Sequence, residues 1–376
     1  MQSDVNIMNN SYLEVDMNIC RKNMNNILSS LPQGCALIPV IKCNAYGLGL
    51  DEMVRLCNEF DEVHCIAVSH VAEGLAMRAA GTEKDVLIMS SALPSQLSAA
   101  VLSHLTLAAG SAEFLRTLES AAAALGMTAR VHIKLDTGLH RIGVEPGAEL
   151  DEFISVLGEC KHIIATGVFS HFADTDNEQT TRAQYERFTG ALGQLERAGY
   201  TGLLRHISCS AAFERYPSFA LDAVRLGRRL FMDAPGVYDG EIEEPVSWRT
   251  FVTAVKERRA GDTLGYGGAY RLEHDALIAT LGIGYGDGLN RDLCTVHAPV
   301  LIRGHKCPLL ACCMDQCFVE VTGLDCKVGD EVTLFGRDGN GKLITSQEQA
   351  ERIGGDEGCG LTSALSSRVA RVYINK

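Results

Sequence analysis

From about residue 10 to residue 235 short apolar segments alternate with amphipathic or alanine-rich stretches, and this alternation limits the fold more than any other feature. The apolar segments read as strands at Ala36 to Lys42, Cys65 to Ser69, Val86 to Met89, Leu105 to Ala108, Ala129 to Asp136, Ile163 to Ser170, Leu204 to Ser208 and Ala223 to Gly227. Between them lie helical stretches such as Ser111 to Leu125 and Glu178 to Ala198. Before the first strand, Cys20, Met24, Ile27, Leu28 and Leu31 form an apolar stripe at helical spacing. Strands alternating with helices imply a parallel sheet, and eight such units imply a closed (β/α)8 barrel, with a doubly wound open sheet as the alternative.

After about Asp239 the pattern changes. Segments such as "HDALIATLGIGYGDG" and "APVLIRGHKCPLLACCMDQCFVEVTG" read as strands broken by glycine-rich turns, with few helical patterns apart from Ser346 to Ile353, where Ser346 and Gln349 suggest a capping box. The expected organisation is an α/β barrel over residues 1–238 and a mainly-β domain over 239–376, the boundary falling between Met232 and Pro245.

The formal charge of −13, with no long run of Lys or Arg, argues against a nucleic-acid surface. The polar start "MQSDVNIMNNSYLEVD" lacks the plan of a signal peptide, and no apolar run of about 18 residues could cross a bilayer. Fourteen scattered cysteines then read as reduced thiols and place the chain in the cytoplasm. His305, Cys307, Cys312, Cys313 and Cys317 cluster in a strand-like apolar segment without paired zinc-ligand spacing, so no metal is expected.

In a barrel the active site lies where the strands end at their carboxyl side. Polar residues gather at those ends: Lys42, Lys134 and Asp136, His171, His206 and Ser210, then Arg225 and Gly227. Alone, Lys42 also reads as a lysine reaching from a strand end toward water, and each histidine as a satisfied structural group. Five strand ends converging on one face favour a site.

The stretches "PVIKCNAYGLG", "HIKLDTGLHRIGV", "GVFSHFADTD", "HISCSAAFERYP", "VRLGRRLF", "LGYGGAY", "LGIGYGDG" and "CMDQ" resemble, in order and over nearly the whole chain, the motifs of the alanine racemase family of fold-type III pyridoxal 5'-phosphate enzymes. The resemblance implies interconversion of L- and D-alanine, for D-alanine biosynthesis, by a homodimer with shared active sites. Lys42 is similar to the lysine that bonds the cofactor aldehyde and acts as one catalytic base. Tyr266 is similar to the second base, which reaches the partner's site. Tyr46, Ser210, Gly227 and Arg228 match the phosphate cradle, and His171 and His206 join the cofactor-binding set. Arg225 matches the arginine facing the pyridine nitrogen, which keeps that nitrogen unprotonated because a guanidinium has only donors. Arg141 and the backbone amide of Met314 match groups that hold the substrate carboxylate, Lys134 a lysine often carbamylated, and Tyr285 part of the access corridor.

Four positions depart from the family pattern. Leu48 replaces a usual histidine, His140 a frequent glycine, Cys209 an asparagine, and Cys359 a tyrosine that contacts phosphate and narrows the pocket. The last opens the pocket to serine or to a broader range of amino acids. A fold-type III decarboxylase and a non-catalytic carrier of the cofactor are the other readings.

Overall fold

The computed structural model describes residues 9–231, 242–355 and 358–376. Strand β1 (Ser11–Asp16) leads into a helix, Met17–Ser30, whose first N–H groups are capped by the Asp16 carboxylate (2.9 Å to Asn18 N). Cys20, Met24 and Ile27 of the apolar stripe are buried. Eight strands then follow at the anticipated places: β2 (Ala36–Pro39), β3 (Cys65–Val68), β4 (Asp85–Ile88), β5 (Leu105–Ala109), β6 (Ala129–Lys134), β7 (Ile163–Phe169), β8 (Leu204–His206) and β9 (Ala223–Leu226).

Strands β3 to β8 form one parallel sheet in sequence order, and β2 pairs in parallel with β9. Two hydrogen bonds join these sheets into a ring: Ile41 N donates to Ala67 O (3.0 Å), and Arg225 N to Ser208 O (3.0 Å). The eight-stranded barrel is therefore the observed fold, and the open doubly wound sheet is excluded.

The second unit is built from β10 (Val246–Arg258), the short pair β11 (Thr263–Leu264) and β12 (Tyr270–Arg271), then β13 (Ala276–Leu281), β14 (Pro299–Ile302), β15 (His305–Cys312), β16 (Cys317–Glu320), β17 (Glu331–Arg337), β18 (Leu343–Ile344) and β19 (Ala370–Ile374). The order β10-β13-β16-β15-β14-β17 closes on itself through a β17–β10 pairing, which makes a second, antiparallel barrel. Closure removes the unpaired edges that an open sheet would present.

Two details differ from the sequence reading, and a third falls where nothing is described. β1, which precedes the barrel strands, pairs with β10 and β19 and so belongs to the β unit's sheet. The boundary expected at 238/239 lies outside the described residues. The helix Ser346–Arg352 is capped one residue earlier than expected, by Thr345 with Glu348 in place of Ser346 with Gln349; Gln349 instead donates to Pro299 O and Leu334 O.

Candidate active site at the barrel mouth

The first strand ends sooner than its apolar run suggests, at Pro39, and Lys42 opens a tight turn beyond it. Cys43, Asn44, Ala45 and Tyr46 all adopt left-handed φ values of 53–55°, a conformation that costs a non-glycine residue roughly 1–2 kcal/mol. Four such residues in succession need external bracing. Glu73 accepts from Cys43 N (2.6 Å), Ser69 N and His70 N, while Asn44 Oδ1 accepts from Leu50 N (2.8 Å). The carboxyl-terminal segment supplies the rest, as Arg371 donates to Gly47 O (2.8 Å) and Tyr373 to Leu48 O (2.9 Å). Strain concentrated around one lysine is typical of a functional position.

Across the mouth, β9 carries Arg225, only 3 % exposed. Its Nη1 donates to His206 Nδ1 (2.7 Å) and His206 O (3.0 Å), and its Nη2 engages Ser170 O (2.8 Å), His171 Nδ1 (3.1 Å) and Ile207 O (3.1 Å). Because a guanidinium only donates, His206 Nδ1 must accept, so its proton sits on Nε2 and points at His132 Nδ1, 2.9 Å away. Two neutral histidines thus back the arginine. Burial and the nearby Arg225 charge hold His206 and His171 well below the usual imidazole range, and burial takes His132 down to about 3. Burial also pulls Arg225 down, to about 10, which leaves it cationic at neutral pH.

Phe169 of β7 stacks on His206 (5.1 Å between centroids), and its ring lies 5.3 Å from both the Arg225 guanidinium and Lys134 Nζ. Lys134 is 2 % exposed, donates to Leu135 O (2.7 Å) and is pulled down to about 7, by burial first and by Arg225 second. The charge of exposed Arg141 also acts on Lys134, His171 and Arg225, and that of Lys42 on His171, so these predicted residues share one electrostatic neighbourhood.

Arg141 follows a turn held by Asp136 Oδ1, which accepts from the N–H groups of Gly138, Leu139 and His140. His140 has φ 55°, the conformation that makes glycine the easier residue there. Gly227 follows β9 directly, and a Cβ there would lie 2.2 Å from Tyr46 Oη. Ser210 opens the helix Ser210–Arg215, where Cys209 makes no side-chain cap, and Arg228 opens the helix Arg228–Phe231. The Cys359–Ser363 helix packs on the lysine turn, since a Cβ on Gly47 would meet Thr362 O at 1.9 Å.

The β unit presents the remaining predicted residues. Tyr266 begins a short turn after β11 and is 76 % exposed; Met314, between β15 and β16, is 50 % exposed. Tyr285 lies beside Met314, for Tyr285 N donates to Cys313 O and Gly286 N to Met314 O (2.8 Å). Among the described residues no three His, Cys, Asp or Glu side chains group as metal ligands, and no helix is long and apolar enough to cross a membrane.

Family comparisons match both units. The model described as "Alanine racemase, N-terminal domain" matches residues 15–235, and "Alanine racemase, C-terminal domain" matches 245–373. The chain belongs to the alanine racemase family. The alanine racemase of Symbiobacterium thermophilum is 35% identical over 380 residues, covering 98% of each chain, and that of Methanococcus maripaludis is 32% identical over 97% of this chain and 98% of its own. Among solved structures, the alanine racemase of Clostridium difficile 630 superposes with a TM-score of 0.90 at 30% identity, covering 98% of this chain and 96% of its own. That of Bacillus anthracis, with bound L-Ala-P, superposes at 0.91 with 27% identity and the same coverage. Membership makes the chain an enzyme, a racemase whose family acts on alanine.

Sequence reasoning did not single out His132 or Phe169. His132 sits inside the apolar run "ARVHIKLD", where a polar residue among buried strand positions was the available signal. Gly167 carries a second trace: a Cβ there would meet His132 Nε2 at 2.6 Å.

Proposed function

We propose that the chain interconverts L- and D-alanine with pyridoxal 5'-phosphate, using two proton-transferring side chains from different subunits of a homodimer. The observation that carries this reading is the wiring of Arg225. Protein acceptors occupy both of its Nη groups, while Nε–H has no protein acceptor among the described residues. A pyridine nitrogen is the acceptor such a buried cation fits, and a donor that stays protonated keeps that nitrogen unprotonated.

The other residues suit the same cofactor. Lys42 would bond its aldehyde, and Tyr46, Ser210 and the N–H groups at Gly227 and Arg228 would hold its phosphate, where bare glycine permits close approach. When bound, the cofactor supplies an electron sink that acidifies the substrate α-carbon. Arg141 and the Met314 N–H would bind the substrate carboxylate, and Tyr285 would line the approach.

Inversion needs a base on each face of the α-carbon, since a single base returns the proton to the side it left. Lys42 serves one face and Tyr266 of the partner subunit the other. Both Tyr266 and Met314 are largely exposed in the single chain, which fits residues that complete a neighbour's site. The setting implied is cytoplasmic D-alanine biosynthesis.

A polarimetric assay of the purified protein on L-alanine with pyridoxal 5'-phosphate tests the reading. Rotation should decay to zero with D-alanine formed and no carbon dioxide released. Carbon dioxide release, or cofactor binding without turnover of any amino acid, would assign the chain to a decarboxylase or a carrier instead.

A further inference from the structure

The two β-unit turns that carry Tyr285 and Met314 interlock through their backbones, and a third segment clamps them together. Tyr285 N donates to Cys313 O (3.1 Å) and Gly286 N to Met314 O (2.8 Å), while Cys313 N donates to Gln316 O (2.7 Å). The Met314 N–H, in contrast, has no protein acceptor among the described residues. Its direction is therefore set by whatever fixes the 313–316 turn.

Arg368 makes that connection. Its Nη1 donates to Asp315 Oδ1 (2.6 Å), the residue next to Met314, and its Nε lies 3.2 Å from Asp287 Oδ1. The Asp287 carboxylate is nearly buried and its other oxygen accepts from Gly284 N (2.9 Å), so it belongs to the Tyr285 turn rather than to solvent. The backbone of the Arg368 segment follows the same path: Ser366 N donates to Asp287 O (3.1 Å), and a Cβ on Gly288 would meet Ala364 O at 2.6 Å.

We infer that Arg368 is a positioning residue for substrate binding: one guanidinium, bridging Asp287 and Asp315, holds the Met314 turn against the Tyr285 turn and so aims the free Met314 N–H. A planar fork with donors on different edges can span two carboxylates, whereas an ammonium is a single point charge that satisfies one of them best. The inference rests on the reading that Met314 N–H meets the substrate carboxylate.

The test uses the cofactor-loaded full chain and four variants: Arg368→Ala, Arg368→Lys, Arg368→Asp, and Arg368→Asp combined with Asp315→Arg. Arg368→Ala should raise the KM for L-alanine about tenfold while kcat stays within about threefold, because uniform binding is lost rather than chemistry. Arg368→Lys should recover part of that loss. The double reversal should bind L-alanine better than Arg368→Asp alone, which separates orientation from simple loss of positive charge. Amide hydrogen exchange over 313–316, read on the same proteins without substrate, should accelerate in Arg368→Ala. Unchanged exchange, or a fall in kcat and thermal stability with KM constant and no rescue by lysine, overturns the inference. Absence of alanine turnover by the wild-type protein would instead overturn the functional reading, and the exchange result would still decide whether Arg368 clamps the turn.

Discussion

Gly227 lies against the phenol of Tyr46, so closely that a Cβ at residue 227 would come within 2.2 Å of Oη and 2.8 Å of Cζ. The contact joins the end of β9 to the turn that follows Lys42, the two segments proposed to share the cofactor phosphate. Gly227→Ala should displace the Tyr46 ring at an overpacking cost of about 1–3 kcal/mol. Titration of the cofactor-free protein with pyridoxal 5'-phosphate should show a dissociation constant raised at least about tenfold. An unchanged value would remove residue 227 from the phosphate cradle.

His132 is buried, neutral and held at about 3, below the unfolded value of about 6.5, by burial first and then by Arg130 and Arg225. The unfolded chain therefore binds the extra proton between these values, and this contribution to stability, complete above about pH 6.5, is lost as pH falls toward 3. His132→Asn keeps an acceptor for His206 without a titrating ring. Urea unfolding should show a slope that, near pH 5, is shallower than wild type by about one proton, roughly 1.4 kcal/mol per pH unit. Parallel slopes would mean that His132 is not buried neutral in the folded protein.

Lys134 has nearly lost its exposure and is pulled down to about 7, so a substantial fraction is free amine at neutral pH. Only the free amine reacts with carbon dioxide. At fixed carbon dioxide pressure, carbamylation should rise with pH through this range, and a 13C-labelled carbamate resonance should be present in the wild-type protein and absent from Lys134→Ala. No resonance at pH 8 would leave Lys134 as a plain buried amine.

Cys359 is buried at the start of the helix that packs on Gly47, where a tyrosine is usual in the resembling motif. With the smaller side chain, kcat/KM for serine should lie within about a thousandfold of that for alanine, roughly 4 kcal/mol, and Cys359→Tyr should depress serine turnover more than alanine turnover. Equal effects on both substrates would show that residue 359 does not shape the pocket.

The alternation of β2 to β9 with helices was legible because parallel strands buried on both faces are short and apolar, and it placed Lys42, Lys134, His206 and Arg225 at the barrel mouth. The left-handed turn at Cys43–Tyr46 was not legible. None of its four residues is glycine, so its conformation is imposed by Glu73, Arg371 and Tyr373 from far along the chain. β1 hid for a similar reason, since "SYLEVD" reads as a strand for either unit and only its pairing with β10 and β19 decides. Arg368 carries no signal in its own sequence neighbourhood. Its meaning depends on two aspartates that lie 81 and 53 residues earlier in sequence.

The central claim is that each site takes Lys42 from one chain and Tyr266 from the other, and mixed dimers test it most directly. Lys42→Ala and Tyr266→Phe, each inactive alone, are co-expressed with different tags, and the doubly tagged heterodimer is isolated and assayed on L-alanine. One of its two sites would then be intact, so the heterodimer should show about half of wild-type activity, or about a quarter in an unfractionated random mixture. An isolated heterodimer that stays inactive, though it binds pyridoxal 5'-phosphate, would contradict the shared site.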